Sequence, residues 1–177
     1  GGFHGGNGES PEFRECLVRW FEFGAFCPVF RLHGFRNPIV TDPKEMVFTG
    51  KNAKEWKYTS GSPNEVWSYG DKVYEICEKY MKLREKMRPY IKEQMKAAHE
   101  KGTPVMRPLF FDYPEDEKAW EIEEQYMFGP DILVAPILYE GMRKREVYLP
   151  EGEWVQIHSK ETFIGGVKIR CKAALDE

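Results

Sequence analysis

From Asp71 onward the chain carries an apolar stripe, Val73, Ile76, Tyr80, Leu83, Met87 and Tyr90, whose members recur three and four residues apart. That spacing fits one face of an α-helix. Glu75–Lys79 and Glu78–Lys82 stand four apart and support the outer face. Pro89 removes a hydrogen bond without shifting the phase, so the pattern predicts one kinked helix to Lys101, closed by Gly102. A coiled coil is the alternative, disfavoured because the stripe lasts only about three heptads. The stripe also divides the chain, because the hydrophobic period changes where it ends.

After Gly102 the pattern is one of short strands. "TPVMRPLFFDYP" reads as a strand broken by prolines and "AWEIEEQYMF" as a short helical turn. "DILVAPIL", "REVYLP", "EWVQI" and "VKIRCKA" read as strands, with "PEGE" and "IGG" as turns. Closely spaced short strands indicate a small antiparallel sheet or sandwich. Before the stripe, "ESPEFRECLVRWFEFGAF" is a helix with Ser10 as N-cap, Pro11 at its first position, Glu12 at the positive end of the dipole and Gly24 as its stop. Phe13, Leu17, Trp20 and Phe21 form its expected apolar face. "CPVFRLHG" follows as a strand from Pro28 to Leu32, a helix-to-strand step typical of α/β folds. Residues 35–70 have no clean period and are broken by Pro38, Pro43, Gly50, Gly61 and Pro63. The chain is therefore α/β first and all-β after, with residues 1–103 as one domain portion and 104–177 as another.

Composition narrows the function classes. The formal net charge is −3 with interspersed signs, which argues against a nucleic-acid surface or a polybasic membrane patch. No apolar run approaches the length of a membrane span. The opening "GGFHGGNG" has no initiator Met or leader pattern and reads as an internal loop. Cys16, Cys27, Cys77 and Cys171 form no CxxC pair and have apolar neighbours. They read as buried free thiols in a reducing, cytoplasmic compartment, and a zinc site is not expected.

Motifs for chemistry are thin. "GGFHGGNG" lacks the order of a phosphate-binding loop, and HExxH and GxSxG are absent. Asp112, Asp116 and Asp131 read as solvated turn residues, and nothing singles out two carboxylates facing one bond. His33 stands out. It is expected at the carboxyl end of a strand, before Gly34 and a long irregular segment, where α/β sheets and barrels bind ligands. A structural histidine is the competing reading.

"GGFHGG" followed by "RWFEFGAFCPVFRLHG" resembles glycoside hydrolase family 31, the retaining α-glucosidases and α-xylosidases. "KLREKMRPYI", "GTPVMRPLFFDYP", "QYMFGPDILVAPI", "REVYLPEGEW" and "GGVKIRCKAALDE" resemble the same family in the same order. The resemblance implies the last helix–strand–helix portion of a (β/α)8 barrel, then the proximal C-terminal β-domain, with both ends of the chain falling inside the family's domains. It also implies that the two catalytic aspartates of a double displacement lie upstream, so no catalytic residue is assigned and the chain alone is expected to be inactive. Ala174 stands where the family usually has proline, which affects only that turn.

By the same resemblance His33 hydrogen-bonds sugar hydroxyls in the −1 subsite and Phe3 forms part of that subsite's apolar wall. A neutral imidazole offers one donor and one acceptor to a diol. Arg31 is expected to support the strand end. The implied partner is an oligosaccharide or glycoside; no cofactor, metal, nucleic acid or membrane is implied, and a homo-oligomer of the longer protein is left open. The rival is a non-catalytic carbohydrate-binding module with an aromatic platform. Against it, Trp20, Trp56, Trp67, Trp120 and Trp154 are scattered over helix, loop and strand.

Overall fold

A computed structural model of the chain describes residues 2–4, 8–35 and 63–176. Most of the irregular stretch noted above lies outside the described residues. A short strand β1 (Gly2–His4) leads into helix α1 (Pro11–Ala25), which returns to strand β2 (His33–Phe35). The two strands pair in parallel, as a strand–helix–strand unit requires. A 3-10 turn (Val66–Tyr69) precedes α2 (Asp71–Lys86) and α3 (Arg88–Lys101).

Helix α1 begins as its sequence dictates. Ser10 accepts from the Phe13 amide at 3.3 Å, with Pro11 next. It does not stop at Gly24 but runs to Ala25. Gly24 instead makes room for a neighbour, since a Cβ there would sit 3.2 Å from the Phe30 ring. The buried face is Leu17, Val18, Phe21 and Ala25. Trp20 was expected on it but is 48% exposed, turned outward with its edge against Phe23. Leu17, Val18 and Phe21 pack with Tyr69, Val73, Ile76, Cys77 and Tyr80 into the core between α1 and α2.

The stripe holds its phase but not as one helix. Its continuity breaks at Met87, two residues before Pro89, because proline has no amide hydrogen and its ring crowds the preceding turn. Gly102 closes α3 in the left-handed conformation, and its amide reaches Ala98 O at 3.1 Å. Of the two expected ion pairs, Glu78–Lys82 forms at 3.0 Å, while Lys79 donates to the Asp176 carbonyl.

Past Gly102 come β3 (Met106–Arg107), the helical turns α4 (Leu109–Asp112) and α5 (Glu117–Glu121), then β4 (Tyr126–Phe128) and β5 (Ile132–Val134). The sheet order is β3-β4-β5, all antiparallel. "LFFD" was expected to continue a strand; it turns helical directly after Pro108, which cannot donate to a ladder. Strands β6 (Lys144–Leu149) and β7 (Glu153–Val155) run out, and β8 (Thr162–Ile164) and β9 (Val167–Lys172) run back, with β6 on β9 and β7 on β8. Together they form one long bent hairpin. The bend lies at Pro150–Gly152 and Gly165–Gly166, where backbones nearly touch: a Cβ on Gly165 would lie 1.7 Å from Pro150 O. The Gln125 side chain extends this sheet by bonding both Tyr148 N–H and Tyr148 O at 2.8 Å.

The second core is Leu109, Ala119, Met127 and Tyr148. Burying a side chain such as Leu109 contributes about 1.5–3 kcal/mol. Of the cysteines, all free, only Cys77 is buried; Cys27 and Cys171 are half-buried and Cys16 is exposed, because it faces away from the α1 core.

Candidate functional site

His33 is not the last residue of a strand over Pro28–Leu32. That segment is irregular, and His33 opens β2. The reason is packing. Proline at 28 supplies no amide, and Phe30 and Leu32 turn into the helical core rather than alternating across a sheet. Phe30 meets Phe21 edge-on at 4.8 Å. Arg84 of α2 fixes the same segment, donating to Ala25 O at 2.8 Å and Pro28 O at 2.9 Å with its guanidinium over the Phe30 ring. Burial pulls the Arg84 guanidinium below its ordinary value and pushes the nearby Cys27 thiol up. Arg31 is exposed at this segment.

The parallel pairing then sets the register. His33 stands opposite Gly2, Phe3 opposite Gly34, and His4 opposite Phe35. Phe3 and His33, the two residues singled out in the sequence, are thus one register step apart on neighbouring strands. Among the described residues, no group of three or more His, Cys, Asp and Glu side chains is placed to hold a metal ion.

The aspartates weighed as solvated turn residues are more engaged than that. Asp112 pairs with buried Arg107 at 2.6 Å. Asp116 caps α5 and accepts from the Tyr148 hydroxyl at 2.5 Å. The Asp131 amide donates to the Tyr90 hydroxyl at 3.2 Å. The first two carboxylates therefore hold the β region together. The sequence gives no sign of Arg107 as their anchor, because an isolated arginine between proline-rich segments looks like surface.

A cavity of about 620 Å³ lies between α1 and the hairpin, walled by Phe23, Ile132, Val134, Val147, Trp154 and Ile169. Arg19, Glu22, Asp131, Arg145, Gln156 and His158 add polar groups to this lining. The exposed tryptophans, Trp20, Trp67 and Trp120, stand on α1, the 3-10 turn and α5 and form no common platform.

Residues 1–94 match the model of the glycosyl hydrolases family 31 TIM-barrel domain, and residues 102–177 that of the family 31 C-terminal domain. The chain belongs to glycoside hydrolase family 31. Among curated family 31 proteins, an alpha-xylosidase of Saccharolobus solfataricus is 34% identical over 177 residues, covering 99% of this chain and 21% of its own length. Alpha-glucosidase 2 of Bacillus thermoamyloliquefaciens is 35% identical over 170 residues, covering 94% and 18%. Among solved family 31 structures, an alpha-xylosidase from a soil metagenome, complexed with xylose, superposes with a TM-score of 0.87 at 48% identity, covering 99% of this chain and 25% of that one. The chain thus spans about a fifth of the length of these curated relatives.

Proposed function

We propose that this chain is the part of a longer α-glycosidase that supplies one wall of its sugar subsite. The reaction is removal of terminal α-xylosyl or α-glucosyl groups by retaining double displacement. The observation that carries the reading is the likeness to the xylose-bound alpha-xylosidase over 99% of this chain. The parallel pairing of β1 and β2 sets Phe3 and His33 on adjacent strands, one register step apart. In this reading His33 donates to and accepts from adjacent sugar hydroxyls, and Phe3 covers an apolar sugar face. The catalytic aspartates are supplied from outside these residues. We place the division between the barrel portion and the β-domain at residues 103 and 104, supported by the change from helices to antiparallel strands. The free thiols support a reducing, cytoplasmic setting.

The test is hydrolysis of nitrophenyl α-xyloside against nitrophenyl α-glucoside by the chain extended in its reading frame to the length of its relatives. Turnover of at least one is expected, with none by the 177-residue chain alone. Failure of the extended protein on both substrates refutes the assignment. Turnover by the short chain refutes the placing of the aspartates.

A further inference from the structure

Helix α1 meets the end of the long hairpin along a polar seam. Arg19 lies at its centre, its side chain 9% exposed. Its Nη2 donates to Ala173 O at 2.9 Å and Met142 O at 3.4 Å, and its Nη1 to Ala174 O at 3.1 Å. These carbonyls lie just past β9 and just before β6. Glu22, one helical turn on, accepts from the same Nη1 through Oε2 at 2.9 Å. The Glu22 side chain is 14% exposed, and its Oε1 has no hydrogen-bond partner among the described residues. The seam is flanked by Glu15, which accepts from Arg143 and from the Gly141 amide, and by Lys79, which donates to Asp176 O.

The two charges are unequally served. Arg19 is met at Nη1 and Nη2 by backbone carbonyls from two segments whether or not Glu22 is ionised, while its buried Nε has no hydrogen-bond partner among the described residues. Glu22 has one bond to a donor it shares with Ala174 O, and an orphaned oxygen. A carboxylate largely removed from water and so thinly bonded favours its neutral form. We propose that Arg19 and Glu22 form a pH-sensitive clasp between α1 and the hairpin, tightest at mildly acidic pH and loosened as the pH rises to neutrality and beyond.

The groups that face Glu22 come from each element packed on it: Arg19 from its own helix, Lys79 and the Cys77 thiol from α2, and Arg143 from the segment before β6. The three cations favour ionisation, but burial outweighs them and lifts the Glu22 carboxyl to about 7. Cys77, pushed up to about 12 by burial and then by Glu22, stays neutral across this range. Because the folded value lies above the unfolded one, the neutral carboxyl contributes its full stability below about pH 4.5. That contribution declines across the window and is gone above about pH 7.

The unfolding constant of the 177-residue chain, from urea titrations at about pH 5.5 and about pH 8, tests this. It should rise on the order of tenfold over that interval, and Glu22→Gln should remove the rise while other titrations remain. An equal rise in the variant, or none in the parent chain, overturns the clasp. A second reading is independent of any variant. The side-chain carboxyl resonance of Glu22 should titrate with a midpoint near neutrality, and a midpoint in the ordinary carboxylate range of about 4–5 overturns it.

Discussion

Gly165→Ala tests how the long hairpin makes its bend. The added Cβ would lie 1.7 Å from Pro150 O and 2.7 Å from Pro150 C, both backbone atoms. Relief requires the two strands to part by well over 1 Å, which no rotamer change supplies. Overpacking of this kind costs about 1–3 kcal/mol. Parting the strands also strains the bonds that close the bend: Gly165 N–H to Gly152 O at 2.8 Å, Gly166 N–H to Leu149 O at 2.8 Å, and the Trp154 indole to Pro150 O at 2.9 Å. Each is worth about 0.5–1.5 kcal/mol net, so a total of about 2.5–7.5 kcal/mol is expected if all three are lost. Gly166→Ala is the control: its φ of +79° strains an alanine by about 1–2 kcal/mol, but the space beside it is open. Urea unfolding followed by tryptophan fluorescence at equal buffer compares them. If Gly165→Ala costs no more than Gly166→Ala, the close approach is not what sets the bend.

Three further outcomes follow from other sites. Asp112→Ala leaves the Arg107 guanidinium buried without its carboxylate and should cost about 2–4 kcal/mol of unfolding free energy, partly recovered when Arg107 is also replaced by Met; no recovery in the double variant would show that the pair is not the cause. Arg143, through its hydrogen bonds, holds the Glu15 carboxyl down at about 2, so this pair's contribution is present above about pH 4.5 and fades as the pH falls toward 2; Arg143→Gln should flatten that acid limb of the stability curve. In the extended enzyme, His33→Ala should lower kcat/KM by roughly 2–4 kcal/mol of transition-state binding with little change in melting temperature, whereas a large fall in melting with near-normal kinetics would make His33 a structural residue.

The long helical stripe and the start of α1 were legible because their determinants are local: apolar spacing, a serine cap, a proline, a glycine stop. The strand before His33 was misplaced because Phe30 is drawn sideways into the helical core, a tertiary pull that alternation in one short window does not record. Strand β8 was missed because Thr162, Phe163 and Ile164 carry no distinctive pattern and exist as a strand through pairing with β7. His33 was singled out by its expected place at a strand end, its sugar-binding role and that of Phe3 came from family resemblance, and the structure adds their register. Arg107, Gln125 and Arg19 escaped notice because buried polar anchors are chosen by partners far away in sequence.

Arg84 reaches further than the segment it holds. Its guanidinium also lies over the ring of Phe128, and the Tyr126 hydroxyl donates to Phe26 O at 3.1 Å, so β4 presses on the same turn from behind. The segment that leads into β2 is thereby held by the β-domain as well as by its own helices. A substitution at Phe128 would therefore loosen the 25–30 segment together with β4.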